Sequence, residues 1–501
     1  MNELMAMFGA VVASPMIIPA AFGGIAWGIL GGALPGISPS ITMALLLPFT
    51  YGADPTAAVV LLASTYLGAE YGGSIPAILI RTPGTNSAAA TVIDGYAMKE
   101  QGKAGEALGI SLYSTLLGSI FGVILLITLT QPLANVALAF QPTSYVGLGV
   151  LGLSVIASLA GESLIKGMMA GFIGLMIATV GTDPVTGLNR FTFDDPELLS
   201  GIPPILVMVG IYAVAELFEQ SSQPGWRQTN SADASIKMPD ALMRARLRVA
   251  QVIGAVIGFI EGLTPGGGGT IAAFLSYNEA KRWSKKPEEF GNGSPEGIAA
   301  PETANGAVSA TALIPMLGLG IPGSNSAAVL LGGFLIHGMT PGPMLFTKHY
   351  DVVMGLYAGK VISLFALVIV GYLILRPCIW LVNRPKHYLM AFIFALVLSG
   401  VYAIHNSLFH VGIALAFGVI GYGMKYFRIP TLPMVLGVVL GFMVESNYRR
   451  ALVLSDGDHM TFTEDPIAAT LLALAAIFIV ISLVRHFRDS LKSGKAEQKA
   501  A

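Results

Sequence analysis

Two stretches of this chain set the same polar pattern inside apolar surroundings. They are Pro83-Gly84-Thr85-Asn86-Ser87-Ala88-Ala89 and Pro322-Gly323-Ser324-Asn325-Ser326-Ala327-Ala328. Pro-Gly interrupts a helix, and in hydrocarbon each freed N–H or C=O is costly unless it is paired. A chain keeps such a break where the freed groups bind something. Half-helix N-termini aim N–H groups and a positive dipole end at an anion, and unwound carbonyls suit a cation such as sodium. Gly84, Thr85, Asn86, Ser87, Gly323, Ser324, Asn325 and Ser326 are therefore the candidate substrate contacts. The competing reading is two helix kinks packed together with no ligand. Arg81, two residues before Pro83, is a further candidate, since its planar fork suits a carboxylate; the alternative is an arginine snorkelling to the interface.

A second duplicated feature lies upstream. Pro35-Gly36 with Ser38, and Pro265-Gly266-Gly267, read as cation-binding sites or hairpin tips. Other ionisable groups near the membrane core are Glu70, Glu261, Glu302 and Lys360, which are functional hypotheses by position alone. Glu302 and Asn305 join the candidates for these cation or hairpin-tip sites; Glu302 reads equally as a residue of a helix N-terminal turn. Glu70 and Arg81 are eleven residues apart, about 16 Å along a straight helix, so they pair only if the helix breaks at Gly72-Gly73.

The elements that position these residues must be membrane helices. Of 501 residues, 54% are apolar and only 11% charged, and mean hydropathy is +0.71. That little charge cannot cover a water-facing surface. The expected fold is an all-α polytopic membrane protein with about 10–12 spans. Full-length spans are expected near 105–130, 142–160, 164–182, 201–218, 352–375, 388–403, 408–424, 431–447 and 466–484. Regions 16–92 and 247–338 are apolar but punctured by Pro and Gly, so they read as re-entrant hairpins and broken helices. No Lys or Arg precedes Arg81, so the N-terminal region lacks the basic start of a secretory signal and is expected to be mature structure.

The halves correspond. Pro83 and Pro322 are 239 positions apart, as are Ile75-Pro76 and Ile314-Pro315; Pro35 and Pro265 are 230 apart. Residues 1–218 are expected to form the first repeat, 219–246 a cytoplasmic linker, 247–450 the second repeat, 451–485 an extra span and 486–501 a cytoplasmic tail. Basic residues gather in different loops of each half: Lys99 and Lys103 in the first, Arg376, Arg384, Lys386, Lys425 and Arg428 in the second. That switch predicts inverted repeats, with the C-terminus cytoplasmic and the N-terminus outside.

Net charge of −1 gives no reason to expect nucleic acid. Walker A, His-Glu-x-x-His and Gly-x-Ser-x-Gly patterns are absent. Gly147, Gly149 and Gly152 fit a dinucleotide spacing without the βαβ context that would give it meaning. An enzyme is not expected, and transport must draw on an ion gradient or another subunit. The single Cys378 excludes an internal disulfide.

The motif set resembles the large membrane subunit of tripartite tricarboxylate transporters, the TctA family. The resemblance rests on Gly32-Ala-Leu-Pro35-Gly36, Tyr66 to Ile75, Thr82-Pro83-Gly84, Asp94-Gly95-Tyr96, Phe290-Gly-Asn-Gly293, Ala300-Pro301-Glu302-Thr-Ala-Asn305, Gly320-Ile-Pro322-Gly323-Ser324 and Gly338-Met-Thr-Pro341-Gly342-Pro343. It spans roughly residues 16–450. It implies uptake of a di- or tricarboxylate such as citrate across the bacterial inner membrane, coupled to sodium or protons, with no cofactor. It also implies a small membrane subunit and a periplasmic binding protein as partners, beside membrane lipid. The alternative is a stand-alone sodium/carboxylate symporter. Two positions depart from the family pattern: Arg81 stands where Asn is expected, and Gly306 where a second Asn is common.

Overall fold

The computed structural model describes residues 2–137, 139–159, 163–183, 187–222, 235–264, 268–480 and 484. The chain is an all-α polytopic membrane protein. The first half runs through α1 (Asn2–Ala13), α2 (Ile17–Gly32), α3 (Pro39–Leu46), α4 (Pro55–Gly72), α5 (Ser74–Ile80), α6 (Ala89–Glu100) and α7 (Ala104–Ala137). It continues through α8 (Pro142–Leu159), α9 (Leu164–Ala178), the short hairpin β1 (Gly181–Thr182) and β2 (Asn189–Arg190), α10 (Pro204–Met208) and α11 (Ala215–Ser222). The second half holds α12 (Ala241–Leu263), α13 (Gly268–Trp283), α14 (Pro295–Thr311), α15 (Leu313–Leu319), α16 (Asn325–Ile336), α17 (Pro343–Lys348) and α18 (Tyr350–Val382). It ends with α19 (Lys386–His405), α20 (Leu408–Tyr426), α21 (Thr431–Leu454) and α22 (Thr461–Glu464), then an apolar helix Pro466–Val480.

Six described helices are long and apolar enough to cross a membrane, or seven if the bent pair Met5–Ala13 and Ile17–Gly32 is one span. The sequence expectation of ten to twelve counted more. The difference lies in shorter apolar helices: Pro39–Thr50, Pro142–Val155, Leu164–Ala178, Asn325–Ile336 and Pro466–Val480. Pro39 opens the first of these and Pro322-Gly323 precedes Asn325–Ile336, where the chain leaves the helical ladder; Pro466–Val480 is bounded by the described residues.

By compactness the chain divides into one unit of Met1–Ala137 with Tyr212–Val411 and another of Leu138–Ile211 with Gly412–Ala501. Each unit therefore draws on both halves of the sequence.

In the first unit, α4 and α14 form the interior. Nearly all of α4 from Ala58 to Gly72 and all of α14 from Gly297 to Thr311 are buried, so neither helix has a solvent or lipid face. Both start the same way: a capping side chain followed by proline at the first helical position. Asp54 accepts from Ala57 N at 2.8 Å before Pro55, and Ser294 accepts from Gly297 N at 3.4 Å before Pro295.

Each interior helix is sheathed by a glycine ridge. Gly24, Gly28 and Gly32 of α2 lie on the backbone of α4; a Cβ there would stand 2.4, 2.4 and 2.2 Å from the carbonyl oxygens of Leu61, Thr65 and Ala69. Gly254 and Gly258 of α12 lie likewise on Ala300 and Ala304 of α14, at 2.4 and 2.3 Å. A glycine every fourth residue is what lets two membrane helices touch backbone to backbone. The two ridges stand 230 positions apart and their seats 239 apart, the offsets of the sequence motifs.

In the second unit α21 packs on α8 and α9, with Gly174 and Gly437 at the contact. Arg190 and Arg449 bridge Asp183 and Glu445: Arg190–Glu445 is 2.6 Å, Arg449–Glu445 2.8 Å and Arg449–Asp183 2.9 Å. Thr143 and Ser144 donate to Asp465 at 2.5 and 2.6 Å.

Candidate functional site

The two Pro-Gly motifs sit on matching breaks in the first unit. α4 stops at Gly72, α5 adds two turns, and Arg81 then takes a left-handed conformation with φ 59°. α14 stops at Thr311, α15 adds two turns, and Gly320 takes the same conformation with φ 79°. The amide of Thr82 bonds back to Pro76 O at 3.4 Å, and that of Ile321 to Pro315 O at 3.3 Å. Every element of this geometry recurs 239 positions later. The glycines of the motifs fix the loops against the hairpin helices. A Cβ on Gly84 would stand 1.9 Å from Gly32 O, and one on Gly323 2.4 Å from Gly262 O.

Both loops then deliver side chains to α4. Ser324 caps α16, accepting from Ala327 N at 3.1 Å, and its hydroxyl is 3.1 Å from Tyr66 OH on α4. Ser326 also faces Tyr66. In the first motif, Thr85 and Ser87 hydroxyls are 3.0 Å apart, and Ser87 donates to Glu70 Oε2 at 2.7 Å. Asn305 of α14 faces Glu70. Its Oδ1 lies beside Gly269, which also lies beside Ser87. Tyr66 and Asn305 are themselves 239 positions apart. The second motif thus reaches the first half's interior helix through Tyr66, while the first motif's Ser87 bonds Glu70 of its own half's interior helix, with Asn305 of α14 close by.

Asn86 and Asn325 differ from their neighbours. Both are exposed, while Thr85, Ser87, Ser324 and Ser326 are buried. The amides are therefore the parts of each motif that the packing leaves open.

The remaining expected site residues divide. The Arg81 guanidinium is exposed and sits 5.7 Å over the Tyr96 ring, away from the motif hydroxyls. Its left-handed backbone costs a non-glycine residue about 1–2 kcal/mol, and asparagine tolerates that region better. The Asn expected here thus has a conformational reason apart from any ligand. At the first hairpin Gly36 has φ 83° and lies against the Gln220 side chain of α11, while Ser38 caps α3 and meets Ser40 at 2.8 Å. Pro35 is buried next to Gly36. Pro265, Gly266 and Gly267 lie outside the described residues.

Glu302 is buried and has both oxygens taken. Thr91 of α6 donates to Oε1 at 2.5 Å, and Thr115 and Ser111 of α7 donate to Oε2 at 2.9 and 3.1 Å. It ties α14 to two neighbouring helices. Asp94 is buried too; its Oδ1 accepts the amides of Gly291, Gly293 and Ser294 at 2.9, 2.8 and 2.8 Å, and its Oδ2 accepts Tyr277 OH at 2.9 Å. That clasp fixes the middle of α6 to the loop before α14.

Sequence reasoning did not assign Tyr66, Glu70 or Lys360 a place in the site. Tyr66 was findable as the positional partner of Asn305. Lys360 is buried on α18 with Nζ 3.5 Å from Ala63 O and 3.4 Å from Ser309 O. Those carbonyls belong to the residues that match Glu302 and Glu70 in the other half. Among the described residues no three or more His, Cys, Asp or Glu gather as metal ligands.

Broken helices in the interior of a polytopic all-α membrane protein are an arrangement that transport proteins use for solute sites. The tripartite tricarboxylate transporter TctA family matches residues 18–436, and the chain belongs to that family. It is 38% identical over 476 residues, 95% of each chain, to an uncharacterized 52.8 kDa protein in the TAR-I ttuC' 3' region of Agrobacterium vitis. It is 36% identical over 232 residues to an uncharacterized protein in the TAR-II ttuC' 3' region of the same organism, covering 46% of this chain and 96% of that one. No solved structure matches it significantly.

Proposed function

We propose that this chain is the permease subunit that carries an organic di- or tricarboxylate across the bacterial inner membrane, driven by a sodium or proton gradient. The observation that carries the proposal is the convergence of both motifs on α4: Ser324 of the second meets Tyr66, and Ser87 of the first bonds Glu70 one turn further on, with Asn305 of α14 facing it. Half-helices α6 and α16 begin at these motifs, and their N-terminal amides favour a carboxylate. The open Asn86 and Asn325 amides supply neutral donors of the kind that bind an anion without trapping it. The two halves act as inverted repeats, and alternating access moves the motif-bearing segments against the surrounding spans. A periplasmic binding protein presents the substrate and a small membrane subunit completes the system.

Asn86→Ala and Asn325→Ala should each reduce uptake of labelled carboxylate by at least about tenfold, the loss of one well-placed contact, with normal amounts of protein in the membrane. Near-normal uptake by both variants would sink the site. Uptake that persists after removal of the binding protein and small subunit would favour a stand-alone symporter.

A further inference from the structure

We infer that Glu70, Thr85, Ser87 and Asn305 form a binding site for one monovalent alkali cation of sodium's size, next to the carboxylate site. The inference rests on the transport reading above and names the coupling ion's ligands.

Three observations lead to it. The first is an unbroken run of oxygens: Thr85 Oγ1 to Ser87 Oγ at 3.0 Å, and Ser87 Oγ to Glu70 Oε2 at 2.7 Å. All three side chains are buried. The second is Asn305 Oδ1. It is buried on a residue only 2% exposed, and it has no hydrogen-bond partner. A buried carbonyl oxygen left unpaired is costly, and native structures keep one where an ion or water completes it. Gly269 holds space beside that oxygen, since a Cβ there would stand 2.5 Å away. The third is the Glu70 charge. Among the described residues no Lys, Arg or His forms an ion pair with it. A buried carboxylate without a counter-charge is unfavourable, and a bound cation supplies one.

The donor set selects the ion. All ligands are oxygen, which suits a hard cation and disfavours copper, zinc or iron. One carboxylate with neutral oxygens matches a single charge; calcium recruits six to eight oxygens, several of them from carboxylates. Glu302 is not a competitor, because its oxygens are already bonded to three hydroxyls. The site also explains coupling. Ser87 joins the cation site to the motif that carries Asn86, so a cation neutralising Glu70 removes a charge that would repel the substrate's carboxylate.

The test is thermal unfolding of the purified full-length protein in detergent, titrated with NaCl against choline chloride at constant ionic strength and pH. Sodium should stabilise the unaltered protein saturably. Glu70→Gln should abolish that dependence, and Asn305→Ala and the milder Ser87→Ala should each raise the half-saturating sodium concentration about tenfold or more. Glu100→Gln, on the exposed end of α6, should leave it unchanged. Sodium titrations of Glu70→Gln and Asn305→Ala that match the unaltered protein would overturn the site. So would stabilisation that follows pH while sodium and choline act alike, which would put a proton on Glu70. If sodium behaves as expected but the complete system accumulates no carboxylate, the cation site stands and the transport reading fails. If uptake occurs and Glu70→Gln titrates normally, the reverse holds.

Discussion

Replacing Glu302 separates an anchoring carboxylate from a ligand. Its two oxygens accept three hydroxyls, from Thr91, Ser111 and Thr115. Glu302→Ala removes the acceptor of Thr91 and Thr115 in a dry interior and leaves Ser111 only Ser74 Oγ, 2.6 Å away. Hydrogen bonds between membrane helices are worth about 0.6 kcal/mol each on average, and bonds to a charged group in a protein interior about 1.5–3. Three bonds therefore give about 2 kcal/mol at the membrane value and about 4–5 at the lower charged value. The larger figure is favoured, because all four residues are buried and none can turn to water. Glu302→Gln keeps one acceptor oxygen and should cost about half as much. The assay is equilibrium unfolding of the purified protein in mixed SDS micelles, followed by tryptophan fluorescence. Trp27 reports on the hairpin, since its indole donates to Thr42 O at 3.0 Å. A Thr91→Val, Glu302→Ala double cycle should show strong coupling. Unfolding of Glu302→Ala within about 0.5 kcal/mol of the unaltered protein, the span of ordinary surface substitutions, would refute the anchor. A simultaneous loss of sodium dependence would make Glu302 a ligand instead.

The glycine ridges predict a steep contrast. Gly28→Ala and Gly258→Ala drive a Cβ to 2.4 Å from Thr65 O and 2.3 Å from Ala304 O, so each should cost about 1–3 kcal/mol or more in the same unfolding assay. Gly412→Ala, inside α20 with nothing within 4 Å of the added Cβ, should cost nothing and gain up to about 1 kcal/mol of helix propensity; equal losses would deny the backbone contact. Glu289 gives a pH signature. Arg246, then Lys286, hold its carboxyl below its ordinary value of 4.5. A carboxylate with a depressed folded value adds stability above its unfolded value and loses it as pH falls through the folded one. Unfolding midpoints measured downward from about pH 5 should therefore fall less steeply in Glu289→Gln, and parallel curves would contradict the pairing. The effect should be small, because the side chain is 32% exposed.

The sequence by itself determined the class, the duplication and the position of both breaks. Composition alone demanded a membrane protein, and Pro-Gly followed by small residues can only interrupt and restart a helix. Constant offsets of 239 and 230 carried the correspondence, because a repeated unit must repeat its turns. They also gave the expectation of two hairpin tips, of which Pro265 to Gly267 lie outside the described residues. What the linear chain could not express was which motif meets which helix. Tyr66 with Ser324, and Glu70 with Ser87 and Asn305, join residues through space in ways that no local pattern encodes. Glu302 illustrates the difference. In sequence it is a lone intramembrane carboxylate and reads as a ligand or as a residue of a helix N-terminal turn; three hydroxyls from two other helices, distant in the chain, satisfy it. Asn305, a cation-site candidate from the same motif, instead keeps a buried oxygen without a partner. Turns and glycine spacing are local and legible, while satisfaction of a buried polar atom depends on every helix packed around it, and only the tertiary structure decides that.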